Sequence, residues 1–355
     1  MKNNSKSRKI VIGAILAGIV IAAATTTERL LSRPNLIENS RMLMPLDAMP
    51  GRSNCPTVDA GYLWIDDNRL IYSAFQGWTR LAVITADVRT GKTSEVNVPA
   101  SIGARQLVDV SPDGKWLLWN NLNYGATPNG PVATSLDGLT TVAWTRPVVS
   151  SDILFLPDGD HCVSLAAPWT SKSNSIGVLV NYSKSSKTST EFPITGISPF
   201  FHPLGLDGEG RILFVQNFDG HTLPIAAMQG PIIMCRVDLN GPRPLTAVPL
   251  KVDLPPATDA NIGSVEVSPQ GDRLLWWFQT PLKPTPWNNI LRRFIHMDDD
   301  TMAVYVTDLQ GHNGRELGEI GERAFDQVSC TPRWCPDGRH ISFTWKNKLY
   351  RMEAQ

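Results

Sequence analysis

Histidine is the side chain best suited to acid–base chemistry near neutral pH, and this 355-residue chain has six of them. His161 and His340 each follow a Pro-Asp-Gly turn at the same spacing, which favours a repeated structural position over a catalytic one. His202 precedes a proline where a strand is expected to start, so it is the candidate general acid or base. Its simpler interpretation is a hydrogen-bonded histidine at a strand end. Three others lie in expected loops: His221, His296 and His312.

Local catalytic motifs are missing from the sequence. It contains no Gly-x-Ser-x-Gly elbow, His-Glu-x-x-His helix, phosphate-binding loop or dinucleotide-binding glycine pattern. A catalytic site would have to combine residues that are far apart in the chain. We therefore assign no catalytic residue from the sequence and lean towards a protein that is not an enzyme.

Metal binding is also weakly indicated. Residues 298–300 are three consecutive aspartates, but adjacent acids rarely converge on one ion, so a charged loop tip is the simpler interpretation. The five cysteines lack the spacing and the neighbouring histidines of a zinc site. Cys330 could pair with Cys335, or either could reach Cys55, and the sequence leaves these alternatives open. We predict no metal and no cofactor.

A repeated unit must position any site in this chain. Residues 109–119 combine a short apolar segment, a Pro-Asp-Gly turn and a strongly apolar strand, and residues 267–278, 333–345 and 154–165 repeat that pattern. A weaker copy lies at 202–215, and residues 61–72 give a strand, a polar turn and a strand. The turns are about 45 to 67 residues apart, which suits four-stranded propeller blades with loop insertions.

The strand after each turn is apolar at nearly every position, as in residues 116–119 and 274–278. Both faces of such a strand must be covered, whereas a strand with one face in water would alternate. Radial stacking of blades covers both faces. The sequence thus predicts an all-β, six-bladed β-propeller, with seven blades as the alternative if residues between the fourth and fifth turns hide another.

The last unit supplies only three strands, the third at residues 348–352. A segment around residues 41–49, or one just before Gly61, is expected to add the fourth strand and close the ring. We accordingly divide the chain into a membrane segment at 1–27, a tether at 28–55 and a propeller at 56–355. The propeller carries an insertion at about 281–300, which contains a candidate amphipathic helix.

The N-terminus predicts contact with a membrane. Four cations precede residues 10–24, which have no polar side chain, and three threonines follow. The length fits either an uncleaved anchor spanning residues 10–27 or a cleaved signal peptide. In both cases the residues beyond about 28 are expected outside the inner membrane, in the periplasm or at the cell surface. The chain has 33 basic and 33 acidic residues, so its zero net charge argues against a nucleic-acid partner.

The turns at 111–115, 157–159, 268–271 and 336–339 resemble the WD40-like repeats of TolB-type propellers, and residues 302–311 are similar to the third strand of those blades. The resemblance covers roughly residues 56–355 and implies the fold more than any activity. TolB itself has an α/β domain where this sequence has a membrane segment and a tether. We therefore expect a relative and not TolB itself.

Propeller ligands usually meet the mouth of the central channel, which is reached by the segments leading into each inner strand. Those segments carry cations, an amide and aromatics that suit an anionic ligand or a peptide. The candidate ligand-binding residues are Arg105, Arg146, Phe200, Phe201, His202, Asn261 and Arg333.

Three functions follow as expectations. The first is a non-catalytic, membrane-tethered scaffold that binds a protein or peptide in the cell envelope. The second is an envelope hydrolase or lyase with its site at the channel mouth, using residues such as His202 and Arg333. The third is a module that supports a larger envelope complex through the insertion at 281–300.

Overall fold

The computed structural model describes thirteen stretches of the chain. They are residues 35–45, 62–76, 79–102, 106–120, 130–145, 153–166, 176–197, 201–216, 232–254, 261–281, 300–320, 332–345 and 348–354. The predicted membrane segment lies outside them, as does most of the predicted insertion. None of the helical segments in these stretches has the length and hydrophobicity of a membrane span.

Twenty-five strands form six sheets in the described residues, and we call each sheet a blade. The first strand in the chain, β1 (Arg41–Pro45), belongs to the last blade. The first three blades follow in chain order. Blade 1 contains β2 (Tyr62–Trp64), β3 (Arg69–Gln76), β4 (Thr79–Asp87) and β5 (Thr93–Glu95). Blade 2 contains β6 (Gln106–Val110), β7 (Trp116–Asn120), β8 (Val132–Ser135) and β9 (Thr141–Ala143). Blade 3 contains β10 (Leu154–Phe155), β11 (His161–Ala166), β12 (Ile176–Ser183) and β13 (Thr188–Thr195).

The remaining blades repeat this meander. Blade 4 contains β14 (Phe201–Leu206), β15 (Ile212–Gln216), β16 (Ile232–Val237) and β18 (Val248–Val252). Blade 5 contains β19 (Asn261–Val267), β20 (Arg273–Pro281), β21 (Asp300–Asp308) and β22 (Arg315–Ile320). Blade 6 contains β23 (Arg333–Trp334), β24 (His340–Trp345), β25 (Lys348–Glu353) and β1. The short β17 (Leu245–Thr246) pairs in parallel with β13 and adds a fifth strand to blade 3.

The Pro-Asp-Gly turns connect the first two strands of a blade because their glycines adopt a left-handed backbone. At Gly114, for example, φ is 67°, and an added side chain would also meet Ile65 of blade 1 at 2.7 Å. Four equivalent turn glycines share this conformation: Gly114, Gly159, Gly271 and Gly338. The turn residues of the repeat are thus set by backbone geometry.

Six apolar cores hold the blades together, one between each neighbouring pair. Leu117 packs in the core between blades 1 and 2, and the next residue, Leu118, packs in the core between blades 2 and 3. Leu274 and Leu275 divide in the same way between the cores on either side of blade 5. The apolar strands therefore bury both faces, as predicted, and the six cores form a closed ring. The described fold is an all-β, six-bladed propeller.

The ring closes through the N-terminal segment. Strand β1 pairs antiparallel with β25, and Met44 from β1 joins the core between blades 6 and 1. Just before β1, the backbone N–H of Leu36 donates to the carbonyl of Glu319 in blade 5 at 3.0 Å. The side chain of Leu36 is fully buried in the core between blades 5 and 6. The expectation that a segment near residue 41 completes the last blade is confirmed.

Substitution Leu36→Ala should destabilise the whole ring, because it removes a buried side chain from a core shared by two blades. We expect the free energy of unfolding to fall by about 2 to 4 kcal/mol in urea denaturation. The control is Met42→Ala on the neighbouring strand β1, where the side chain is 47% exposed and the expected change is within about 0.5 kcal/mol. Equal losses for both variants would contradict this role for the segment.

Candidate functional site

The centre of the propeller is lined by the innermost strand of each blade: β2, β6, β10, β14, β19 and β23. Each of these strands pairs with only one neighbour, so its other edge leaves backbone N–H and C=O groups facing the centre of the ring. Side chains that reach those groups from a neighbouring blade will define the chemistry of the channel.

Asp109, in the inner strand of blade 2, reaches the next blade. Its Oδ2 accepts a hydrogen bond from the backbone N–H of Phe155 in β10 at 2.7 Å, and its Oδ1 accepts one from the N–H of Val110 at 2.8 Å. The carboxylate therefore satisfies an unpaired edge group of blade 3 and links two inner strands.

Glu266, in the inner strand of blade 5, makes the corresponding contact. Its Oε2 accepts a hydrogen bond from the backbone N–H of Trp334 in β23 at 3.1 Å. Asp109 and Glu266 each lie two residues before the serine that opens the turn, Ser111 and Ser268, so they occupy one position of the repeat. The link between neighbouring inner strands is thus made twice, by two acids.

Arg333 occupies the same repeat position in blade 6, two residues before Cys335. Its Nη1 lies 3.8 Å from Oε1 of Glu266, close enough for an ion pair but too far for a hydrogen bond. Its Nε is buried and has no hydrogen-bond partner among the described residues. The exposed part of this guanidinium therefore has donors that Glu266 does not occupy.

The three groups influence one another electrostatically. Burial raises the pKa of Asp109 to about 6, against the lowering effect of its two N–H bonds and of the Arg333 charge. Burial raises the pKa of Glu266 to about 7, again opposed by Arg333 and by the Trp334 N–H, whereas the Asp109 charge adds to the increase. The charge of Arg333 thus acts on both carboxyls from one place.

These groups are enclosed by protein but still accessible. The side chains of Glu266 and Arg333 are each 29% exposed, although protein surrounds the Glu266 carboxyl closely enough to raise its pKa. A wall position in a narrow channel explains both observations, because solvent reaches the group from one direction only. Such a site can bind an anionic group through the arginine and can exchange protons through the carboxyls near neutral pH.

The hydroxyl of Ser342 links blade 6 to blade 1 beside this cluster. The phenol of Tyr62 donates to Oγ of Ser342 at 2.7 Å, and the indole N–H of Trp64 donates to the same oxygen at 2.8 Å. Burial raises the pKa of Tyr62 well above its ordinary value, with smaller effects from Arg333 and Glu266. Tyr62 is therefore a neutral hydrogen-bond donor next to the charged groups.

The sequence-predicted site residues have different outcomes. Arg105, Arg146 and Phe200 lie outside the described residues. Phe201 begins β14 but is 5% exposed in the core between blades 3 and 4, so its ring contributes to packing. His202 and Asn261 lie in the inner strands β14 and β19, as their register predicted.

Arg333 is the one predicted residue whose side chain is described in the channel cluster. Asp109 and Glu266 were not predicted as site residues. Their shared repeat position with Arg333 was the available signal, because aligning the turns places a charged residue there in three blades. Within the described ranges no three potential ligand side chains are grouped to hold a metal ion.

The sequence matches no protein-family model and no curated protein sequence. Among solved structures it is similar to a putative TolB from Agrobacterium tumefaciens, with 13% identity, a TM-score of 0.49 and coverage of 84% of this chain and 91% of that chain. Hydrazine synthase of Kuenenia stuttgartiensis has 15% identity and a TM-score of 0.46, and the match covers 79% of this chain and 71% of that chain. An oligogalacturonate lyase in complex with manganese has 13% identity and a TM-score of 0.45, and the match covers 81% of this chain and 86% of that chain.

These likenesses are too distant to carry a functional argument. The fold of this chain follows from its own six sheets and six inter-blade cores, and its function has to be argued from the channel residues.

The raised pKa of Glu266 should make stability depend on pH. A carboxyl that holds its proton more tightly in the folded chain stabilises the fold fully below its ordinary pKa of 4.5, and this contribution is lost as the pH rises through 7. Glu266→Gln removes the titration but keeps an oxygen to accept the Trp334 N–H. When the pH is raised from 4.5 to 8, the free energy of unfolding of the wild type should fall by about 2 kcal/mol more than that of this variant. The expected difference is smaller than the free energy that corresponds to the whole pKa change, because solvent reaches the Glu266 side chain.

Urea denaturation at the two pH values measures this difference. Glu353→Gln, at an exposed position at the end of β25, is the matched control and should behave as the wild type does. If Glu266→Gln retained the full pH dependence of the wild type, the carboxyl would not titrate as described.

Proposed function

We propose that this protein is a non-catalytic binding scaffold whose channel recognises a protein or peptide through a carboxylate. The observation that carries the proposal is Arg333, whose side chain is 29% exposed and whose Nη1 lies 3.8 Å from Glu266, too far for a hydrogen bond. A ligand that accepts hydrogen bonds from the exposed part of this guanidinium would form charge-assisted bonds, which are stronger than neutral ones.

A carboxylate is the ligand group that suits this arginine. The planar guanidinium presents parallel N–H donors that match the two oxygens of a carboxylate, and such pairs are stronger than neutral hydrogen bonds. Glu266 stands close enough to attract the guanidinium, but at 3.8 Å it does not occupy those donors. A peptide C-terminus or an acidic side chain supplies the required group.

The location of the protein belongs to the same proposal. The cationic and apolar N-terminus indicates export and a membrane tether, either uncleaved or later removed as a signal peptide. We therefore place the propeller in the periplasm or at the cell surface, and propose that it is a TolB-type propeller by its repeated turns. Its zero net charge supports a protein or peptide partner over nucleic acid.

An envelope hydrolase or lyase is the second candidate function. It is favoured by the pKa values of Asp109 and Glu266, about 6 and 7, which suit a general acid and a general base near neutral pH. However, each carboxylate already accepts a backbone N–H from the neighbouring blade. A structural task therefore accounts for both acids, whereas no contact in the described part of the chain gives such a task to the exposed donors of Arg333.

Substitution Arg333→Gln tests the scaffold proposal. The probe is a library of fluorescein-labelled pentapeptides with free C-terminal carboxylates, each matched by an amidated copy, and binding is followed by fluorescence anisotropy. For the tightest peptides we expect Arg333→Gln to weaken binding at least tenfold, because a charged hydrogen-bonded pair is lost. Amidation should weaken binding to the wild type and have little effect on the variant.

The matched control is Arg339→Gln in the same blade, which removes the same charge from an exposed turn residue. It should bind the peptides as the wild type does. If Arg333→Gln bound as tightly as this control, the proposed role of the channel arginine would be wrong. Turnover of envelope polysaccharides or peptides that is lost in Asp109→Asn would instead support the enzyme.

A further inference from the structure

Two pairs of blades that lie three apart in the ring share side-chain contacts. In blade 2 the indole of Trp119 donates to Oγ1 of Thr134 at 2.8 Å, and in blade 5 that of Trp276 donates to Oγ1 of Thr307 at 2.9 Å. The two bonds occupy the same register, since Thr134 pairs with Leu117 and Thr307 pairs with Leu274. Blades 2 and 5 are therefore equivalent.

Blades 3 and 6 match in the same way. In blade 3 the imidazole of His161 contacts Asp158 at 2.6 Å, and in blade 6 His340 contacts Asp337 at 2.7 Å. Blades 2 and 3 thus resemble blades 5 and 6, which lie opposite them in the ring, so these two pairs of blades are related by an approximate two-fold axis along the channel.

The channel acids obey this symmetry. Asp109 of blade 2 binds the Phe155 N–H of blade 3, and Glu266 of blade 5 binds the Trp334 N–H of blade 6. Because blades 2 and 5 stand opposite each other in a ring of six, the two carboxylates face the axis from opposite sides. An unmodified two-fold channel would have no preferred orientation for a ligand.

Arg333 breaks the symmetry. Its equivalent in the other half is Leu154 of blade 3, which is half-buried and packs beside the core between blades 3 and 4. Arg333 and Leu154 each lie in an inner strand whose preceding inner strand carries a channel acid. That acid is Glu266 for Arg333 and Asp109 for Leu154. One side of the channel therefore offers a cation near an acid, and the equivalent position on the other side holds a half-buried apolar side chain.

We infer that the pair Arg333 and Leu154 sets the direction of the bound ligand, which is an amphipathic peptide end with its carboxylate towards blade 6 and an apolar side chain towards blade 3. This inference rests on the proposed function and deepens it.

The symmetry supplies the test. Arg333→Leu makes the two halves alike at this position and should weaken binding of the tightest labelled peptide at least tenfold. The double variant Leu154→Arg with Arg333→Leu moves the arginine beside Asp109, the equivalent of Glu266. It should restore affinity to within about tenfold of the wild type, with the shorter Asp109 side chain accounting for the remainder.

The outcomes separate the two proposals. If Arg333→Leu bound as well as the wild type, the proposed function would fail. If that variant lost binding and the folded double variant did not regain it, the inference of a symmetry-related direction would fail while the proposed function stood. Circular dichroism and urea denaturation establish that each variant is folded.

A second measurement uses the wild type alone and so does not depend on the double variant folding. The same peptide carries a benzophenone on its apolar side chain next to the C-terminus, and the cross-linked chain is digested and sequenced by mass spectrometry. Cross-links should fall in residues 153–166 of blade 3. Cross-links distributed equally between blade 3 and residues 332–345 of blade 6 would overturn the inference.

Discussion

Burial of both faces of every sheet is the constraint on which the rest of this structure depends. Adjacent residues such as Leu117 and Leu118 point into different cores, so each blade needs a neighbour on either side. In a row of blades the first and last would each leave an apolar face in water, at about 25 cal/mol for each Å² exposed. A ring removes both ends, and the N-terminal strand completes the blade that closes it.

Ring closure also determines what the centre contains. Six inner strands meet there with one unpaired edge each, and a buried edge N–H without a partner is costly. Asp109 and Glu266 satisfy two such groups from the neighbouring blade. The third charge, Arg333, keeps both acids at least partly ionised and makes the centre a polar site.

The sequence predicted the architecture because the fold is expressed in local patterns. Turns containing Pro-Asp-Gly need a left-handed glycine, strands buried on both faces do not alternate, and a blade with three strands must find a fourth. The channel acids escaped prediction because their role lies between blades: Asp109 acts on a backbone group 46 residues away, and Glu266 on one 68 residues away. Arg333 was named as a candidate because the register of its strand predicts a position at the channel.

A closed ring of similar units imposes a further constraint on recognition at its centre. Equivalent positions give the centre a symmetry that an asymmetric ligand does not share, so recognition requires some position to differ between halves. The repeat position of Asp109, Glu266 and Arg333 is suited to this, because a change there alters the channel while the turn and both cores stay intact. Substituting a residue such as Trp276, fully buried between blades 4 and 5, would instead disturb the packing that closes the ring. Specificity in this protein is therefore expected at a few inner-strand positions, where a substitution leaves the packing between blades intact.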